Sequence, residues 1–149
     1  MKKLGVIFGG MSTENEVSVQ SAFSILQNLD KQKYDIYPVY IGKDGTWYSY
    51  QGGFDKVEFG KQLDEIEKIQ DVMKYLTALD VVFPVLHGLY GEDGTIQGLL
   101  ELLKIPYVGC GILASSVGMD KVYTKILFEK IGLMQAKYEY VKKVKEDYV

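Results

Sequence analysis

The chain has 149 residues, of which 47% are apolar, and its formal net charge is −3. This length suits one domain, or one domain and the beginning of another, and the apolar fraction is sufficient for a hydrophobic core. No block of basic residues occurs along the chain, so a nucleic-acid partner is not expected.

The cationic residues and the single cysteine limit which anion sites and disulfides the chain can form. All 17 cationic side chains are lysines, so an anion site would have to use lysine or backbone N–H groups rather than a guanidinium fork. Cys110 is the only cysteine, which excludes an internal disulfide and fits a reducing cytoplasm. The apolar run near the N-terminus is too short for a signal peptide, and no stretch approaches the ~20 apolar residues of a membrane span. We therefore expect a cytoplasmic protein without a membrane partner.

Apolar periodicity predicts the elements of the first half of the chain. Residues 4–8 form a fully apolar run that ends at two glycines, as buried parallel strands do. The predicted elements are a strand at 4–8, a helix capped by Ser12 or Thr13 and reaching about residue 29, a strand at 34–41, a small hairpin around Trp47, and a helix marked by Leu63, Ile66, Met73 and Leu76.

The second half of the chain continues the alternation of strands and helices. The predicted elements are a strand at 80–84, a helix with the stripe Ile96, Leu99, Leu100 and Leu103, a strand at 105–108, a helical turn or two at 114–118, a helix from Asp120 to Ile131 that stops at Gly132, and a strand at 138–144. This order predicts an α/β fold with a parallel sheet and helices on both faces.

Three loops follow predicted strands, and ligands bind beyond the carboxyl ends of parallel strands. In the first loop, Gly9 and Gly10 could let backbone N–H groups approach an anion. The spacing departs from G-x-G-x-x-G, so a dinucleotide site is not favoured. Glu14 and Glu16 either face a ligand or simply stabilise the start of the following helix.

The second loop contains His87, the only histidine in the chain. A position directly after a buried strand leaves a catalytic and a structural role equally open. Glu92 could fix the tautomer of the imidazole, while Asp93 could cap the next helix. No H-x-x-H or C-x-x-C pair is present, so a zinc site is not expected.

The third loop offers a thiol, two serines and a lysine. Cys110 could be a nucleophile, but a small buried thiol is commoner, and burial is the expectation. Ser115 and Ser116 are expected to pack tightly or to hydrogen-bond locally. Lys121 opposes the dipole of its helix, a conflict that an anionic ligand or solvent would relieve. The residues alone therefore predict a polar cleft for a small zwitterion or phosphate, without naming a reaction.

Four segments of the chain together resemble the D-alanine–D-alanine ligase family: VIFGGMSTENEVSVQSA, DVVFPVLHGLYGEDGTIQGLLELLKIPYVGCG, LASSVGMDK and KVYTKILFEKIGL. The resemblance covers most of residues 4–140 and is most specific in the long block LHGLYGEDGTIQGLLEL, which begins at residue 86. It implies a Rossmann-like, pre-ATP-grasp substrate-binding domain at residues 1–120 and an incomplete start of an ATP-grasp domain at residues 121–149.

The resemblance also implies a reaction. Family enzymes use ATP to phosphorylate the carboxylate of one D-alanine, and the amine of a second D-alanine attacks the acylphosphate to give a dipeptide for peptidoglycan and the cell wall. The implied partners are D-alanine and ATP with Mg²⁺, and the complete enzyme is expected to be a homodimer. The ligands for the metal ion are expected outside this chain, which by itself is expected to be inactive.

Specific residues of the motifs carry family roles by resemblance. Glu14 matches the glutamate that anchors the ammonium group of the first substrate, and His87 matches the histidine beside the reacting carboxylate. Glu92 matches the acid that supports this histidine, and Lys121 matches a lysine that reaches the nucleotide phosphates. Further substrate-binding or supporting residues are Gly9, Gly10 and Ser18. Cys110 stands where many family members have serine.

Two other functions remain open from the sequence. Ligases that join D-alanine to D-lactate or D-serine, as in vancomycin resistance, share this N-terminal pattern. The chain could also be a non-enzymatic, Rossmann-like module that binds a small ligand.

Overall fold

A computed structural model of the chain describes residues 1–54, 60 and 63–141. Its elements, in chain order, are β1 (Lys2–Gly9), α1 (Asn15–Asn28), β2 (Tyr34–Ile41), β3 (Trp47–Tyr50), β4 (Ile66–Lys68), α2 (Val72–Thr77), β5 (Val81–Pro84), α3 (Thr95–Leu102), α4 (Ile112–Met119) and α5 (Lys121–Lys130). None of the helices in these ranges is long and apolar enough to cross a membrane.

The strands form one sheet in the order β4-β3-β2-β1-β5. Strand β1 lies at the centre of the parallel part and pairs with β2 on one side and β5 on the other. Strand β3 is antiparallel to both β2 and β4, so the hairpin expected around Trp47 extends the sheet at one edge. The α/β fold is confirmed, with a mixed rather than wholly parallel sheet.

Apolar side chains of the central strand are buried on both faces of the sheet. Val6 and Phe8 pack with Leu26 of α1 on one face, and Ile7 packs with Leu76 of α2 and Leu100 of α3 on the other. Because β1 is covered on both sides, its sequence is a continuous apolar run rather than an alternating one. Helices on both faces were predicted, and this arrangement is confirmed.

The predicted second helix is wrong in its first half. Ile66 lies in strand β4, where it pairs with Tyr50, and the helix comprises only Val72–Thr77 after the cap Asp71. Leu63 and Ile66 have helical spacing, but hydrogen bonding to the neighbouring β3 provides a partner for the backbone that a short helix lacks. Tertiary pairing therefore overrides the local pattern.

The strand predicted at residues 105–108 is reduced to one parallel bridge. Tyr107 pairs with Val82, the N–H of Val82 donates to the carbonyl of Pro106 at 2.9 Å, and the N–H of Val108 donates back to Val82 at 2.9 Å. This bridge still places the third candidate loop beside the end of β5.

The last helix begins and ends as predicted. Asp120 accepts hydrogen bonds from the N–H groups of Val122 and Tyr123. Gly132 has a φ of 77°, and the N–H of Leu133 donates to the carbonyl of Phe128 at 2.9 Å, which closes the C-terminus. The strand predicted after it is wrong for residues 138–141, which are irregular, and its remainder lies outside the described residues.

Candidate functional site

The carboxyl ends of the central strands are tied together by polar side chains of α1. Ser18 is fully buried; its hydroxyl accepts from the N–H of Gly9 at 2.8 Å and donates to the carbonyl of Val85 at 2.6 Å. The side-chain amide of Asn15 donates to the carbonyl of Gly10 at 2.6 Å. Each bond replaces a hydration partner lost on burial, so the ends of β1 and β5 are held in fixed relation.

A second connection joins the first loop to the second. The hydroxyl of Ser12 donates to the carbonyl of His87 at 2.7 Å and accepts from the N–H of Glu14 at 3.1 Å. Ser12 was expected to cap α1, but the helix begins at Asn15 and its preceding residue makes no side-chain cap. The serine instead holds the loop of Glu14 against the loop of His87.

Glu14 faces the second loop across a glycine. Gly88 has a φ of +69°, and a Cβ added there would lie 3.3 Å from Oε1 of Glu14. This conformation favours glycine, and the lack of a side chain lets the carboxylate approach the loop. No cation pairs with Glu14 within the described part of the chain.

The neighbouring carboxylate behaves differently. Oε1 of Glu16 accepts from Nζ of Lys43 at 2.9 Å, and this hydrogen bond and charge raise the pKa of Lys43. Glu16 therefore serves to pair the start of α1 with the loop after β2. Of the two acids that the sequence left undecided, Glu14 is the one without a cationic partner among the described residues.

His87 lies between a serine and a carboxylate. Its side chain is 31% exposed and its Nδ1 is 3.9 Å from Oε1 of Glu92. The other carboxylate oxygen accepts from the N–H of Gly88 at 2.7 Å, so Glu92 is fixed by the loop that it supports. Nε2 of His87 lies 3.1 Å from Oγ of Ser21.

Sequence reasoning missed Ser21. It lies three residues after Ser18, which puts both hydroxyls on the same face of α1, and that spacing was the available signal. Nothing in the spacing alone indicates that the histidine, 66 residues away, reaches this face.

Asp93 stabilises the second loop by accepting hydrogen bonds from its backbone. Its carboxylate accepts from the N–H of Tyr90 at 2.8 Å and from the N–H of Thr95 at 3.0 Å. Burial raises the pKa of Asp93, but these hydrogen bonds outweigh it and hold the pKa below its ordinary value. Glu92 therefore lies beside the imidazole, whereas the prediction that Asp93 caps the next helix is wrong: Gly94 is the capping residue of α3, no side-chain hydrogen bond caps this helix, and Asp93 orders the turn before it.

The third loop corrects two expectations. Cys110 is exposed rather than buried, because the loop that carries it lies on the surface between two exposed glycines. Ser116 was expected to bond locally, yet its hydroxyl donates to the carbonyl of Asp93 at 2.8 Å, 23 residues away. Ser116 thus links helix α4 to the second loop, while Ser115, also in α4, is buried and donates to the carbonyl of Cys110 before the helix.

Lys121 stands apart from the other predicted site residues. It is exposed at the start of α5, and its side chain forms no hydrogen bond or ion pair with any described residue. Its role toward phosphates stays a prediction. In addition, no group of three or more His, Cys, Asp or Glu residues in the described ranges could hold a metal ion.

Space for a small ligand lies at the same edge of the sheet. A cavity of about 140 Å³ adjoins His87 and Gly10, and its other walls are mainly apolar, including Met11, Trp47 and Leu86. A larger cavity of about 850 Å³ lies after α5 and is lined by none of the predicted site residues. Of the predicted site residues, His87 and Gly10 line the smaller cavity, whereas Glu14 and Glu92 are not among its lining residues.

Comparison with known proteins identifies the family. The model of the family described as "D-ala D-ala ligase N-terminus" matches residues 3–110. The chain belongs to this family. The matched range contains Glu14, His87 and Glu92, whereas Lys121 lies beyond it.

Individual ligases of the family give the same result. The D-alanine–D-alanine ligase of Clostridium novyi is 55% identical over 140 residues, which are 92% of this chain and 41% of that protein. The ligase of Clostridium acetobutylicum is 52% identical with the same coverage. The chain thus spans about two-fifths of the length of these ligases.

Solved ligase structures share the fold. The VanG D-Ala:D-Ser ligase from Enterococcus faecalis has a TM-score of 0.76 and 40% identity, over 88% of this chain and 42% of that one. The D-alanine–D-alanine ligase from Coxiella burnetii has a TM-score of 0.70 and 35% identity, over 88% of this chain and 41% of that one. The division of this chain into domains at residue 120 stays a prediction.

Proposed function

We propose that this chain is the substrate-binding N-terminal part of a D-alanine–D-alanine ligase, an ATP-dependent enzyme that joins two D-alanines through an acylphosphate for peptidoglycan synthesis. The observation that carries the proposal is that Glu14, a carboxylate with no cationic partner among the described residues, lies across Gly88 from the loop of the His87–Glu92 pair. Membership of the family supports the same reading.

Glu14 would bind the ammonium group of the first D-alanine. A zwitterionic amino acid needs an anionic partner for its amine, and a charge-assisted hydrogen bond from an ammonium group is among the stronger ones. Glu14 is exposed and has no cationic partner in the described ranges, so its charge is available. Glu16 is unsuited to this role because its carboxylate already accepts a hydrogen bond from Lys43.

His87 would lie beside the carboxylate of the same D-alanine. The backbone at His87 and the loop of Glu14 are joined through Ser12, so one small amino acid could reach both. The imidazole would orient the carboxylate that receives the phosphoryl group, and Glu92 would hold the imidazole. Gly9, Gly10 and Ser18 would help to fix the positions of these loops through the hydrogen bonds at the ends of β1 and β5.

ATP and Mg²⁺ would be held mainly by other parts of the enzyme. Lys121 is the one residue assigned by resemblance to the nucleotide phosphates, and the described residues offer no cluster of metal ligands. ATP with its metal ion would supply the phosphoryl group. We therefore propose that the chain alone does not turn over, that the reaction is cytoplasmic, and that the complete ligase is a homodimer, as the family resemblance implies.

A second candidate is a ligase that uses D-serine as the second substrate. The 40% identity to the VanG D-Ala:D-Ser ligase favours it specifically. The two candidates differ in the identity of the product, D-alanyl-D-alanine or D-alanyl-D-serine, when both second substrates are supplied together.

A chimera with a known ligase tests the proposed function of this chain. Residues 1–110 would replace the corresponding segment of the Clostridium novyi ligase, and phosphate release from ATP would be measured with and without D-alanine. We expect D-alanine-dependent release from the chimera and none from the 149-residue chain. A folded chimera that binds D-alanine but never releases phosphate would favour a binding module. The second candidate is tested on the parent enzyme, where a dominant D-serine product would favour it.

Replacing Glu14 by Gln in the chimera tests the ammonium site. Losing a charged hydrogen bond corresponds to a rise in KM for the first D-alanine of roughly tenfold or more. The matched control is Glu16→Gln, which removes the partner of Lys43 and should leave this KM unchanged. Equal effects of the two substitutions would mean that Glu14 only stabilises the helix.

A further inference from the structure

Ser21 lies next to His87. Neither the motifs nor the family resemblance assigns a role to this serine. Its hydroxyl lies 3.1 Å from Nε2 of His87 and is partly buried. Within the described ranges the hydroxyl has no other hydrogen-bond partner. A hydroxyl can donate one hydrogen and accept others, so the direction of this bond depends on where the ring carries its proton.

The opposite side of the ring faces a carboxylate. Oε1 of Glu92 lies 3.9 Å from Nδ1, too far for a direct hydrogen bond but close enough for its charge to act on that nitrogen. An ionised carboxylate only accepts. A proton on Nδ1 therefore faces an acceptor, whereas an unprotonated Nδ1 would direct its lone pair at a negative charge.

These two contacts select the same arrangement of the neutral ring. With the proton on Nδ1, Nε2 carries a lone pair and accepts the hydrogen of Ser21. With the proton on Nε2, the hydrogen of Ser21 would have no acceptor among the described residues. A neutral imidazole has one donor and one acceptor nitrogen, and the hydrogen bond made by one nitrogen decides the state of the other.

We propose that Ser21 is a positioning residue that, opposite Glu92, holds neutral His87 in the Nδ1–H tautomer. Its relevance to catalysis rests on the proposed function, in which His87 orients the carboxylate of the first D-alanine. The tautomer decides which nitrogen can donate to a ligand and which can accept.

The backbone supports this role because Ser21 is carried by a well-anchored helix. One turn earlier, Ser18 is fully buried and bonded to the ends of β1 and β5, and the adjacent Ala22 and later Leu26 are fully buried against the sheet. A hydroxyl on a rigid element can select a tautomer more sharply than one on a mobile loop.

The single histidine makes the tautomer directly measurable. In the nitrogen-15-labelled 149-residue chain, a long-range proton–nitrogen correlation spectrum in mildly alkaline buffer shows one imidazole, that of His87. We expect the pattern of a ring protonated at Nδ1. A dominant Nε2–H pattern in the unmodified chain would overturn the proposal without any variant.

Variants separate the hydroxyl from a structural role of the helix. Ser21→Ala should reduce the ratio of Nδ1–H to Nε2–H roughly fivefold, the change expected from one net hydrogen bond. Ser21→Thr retains the hydroxyl and should retain the tautomer, and Ser24→Ala removes an exposed hydroxyl one turn later and should do the same. An unchanged tautomer ratio in Ser21→Ala would contradict the role of the hydroxyl, and so would an equal fall of this ratio in Ser21→Thr. The backbone amide spectrum verifies that each variant is folded.

This measurement does not depend on enzymatic activity. An inactive chimera with the expected tautomer would reject the proposed ligase function but keep the role of Ser21. An active chimera combined with an Nε2–H ring would support the ligase function and reject the role of Ser21.

Discussion

Helices α1 and α5 carry similar apolar stripes, yet only α1 buries its stripe. Leu26 of α1 is fully buried, whereas Leu127 of α5 is 50% exposed and α5 has no buried residue at all. Periodicity indicates which side of a helix is apolar, but a neighbouring element has to be present to cover that side. The comparison teaches that an apolar stripe predicts orientation reliably and burial only conditionally.

Polar side chains show the same contrast between the two regions. Around α1 they bridge distant segments, such as Ser12 to His87 across 75 residues and Ser18 to Val85 across 67. Around α5 the side-chain hydrogen bonds are local, such as Thr124 to Val117 across seven residues. The candidate site lies in the region where long-range bonds fix the loops.

The largest expected difference comes from the same truncation in the two helices. Leu26→Ala should lower the free energy of unfolding by about 2–5 kcal/mol, because it leaves a cavity against β1. Leu127→Ala should change it by less than about 1 kcal/mol, since half of that side chain is already in water. Urea denaturation of both variants measures the two values.

Equal losses in both variants would contradict the comparison. They would mean that α5 is covered in solution by a contact that the chain makes with another copy or another segment. Repeating the denaturation at several protein concentrations distinguishes these cases, because only the first depends on concentration.

A smaller effect is expected from the buried hydroxyl below the site. Ser18→Ala should cost about 1–3 kcal/mol of stability, because the N–H of Gly9 and the carbonyl of Val85 lose their shared partner in a buried place. Ser24→Ala on the exposed side of the same helix is the control and should be neutral within about 0.5 kcal/mol. Thermal unfolding of both variants provides the test; equal Tm values for Ser18→Ala and the unmodified chain would show that the bridge is not needed.

The smallest effect concerns pH and the second loop. The folded-state pKa of Asp93 lies below its ordinary value, so its contribution is present above the unfolded pKa of about 3.9 and disappears as pH falls through the folded pKa. We expect this contribution to stay below about 1 kcal/mol, because the carboxyl is only partly buried and solvent still screens its charge.

Comparison with Asp93→Asn isolates this contribution. The difference in unfolding free energy between the unmodified chain and the variant should shrink between about pH 5 and about pH 2. Chemical denaturation at a series of pH values measures it. Parallel pH profiles would indicate that the hydrogen bonds from Tyr90 and Thr95 do not depend on the charge of the side chain.

Much of the frame could be predicted from the sequence because its causes are local. The apolar run at residues 4–8 predicts a strand buried on both faces, and the structure has it. Asp120 and Gly132 mark the ends of α5 because capping and positive φ involve only a few neighbouring residues. The placement of His87 and Glu14 in loops after strands likewise follows from the order of the elements.

Tertiary structure alone decided the rest, because the deciding partners are distant in sequence. Ile66 pairs with Tyr50 and lies in a strand. Lys43 pairs with Glu16 rather than with Glu14, and Ser21 contacts His87 from 66 residues away. Periodicity and capping act over one or two helical turns, whereas pairing and charge neutralisation depend on which segments the fold brings together. The sequence by itself therefore determined where the chemistry could lie, and the packing of α1 against β1 and β5 decided which side chains face one another there.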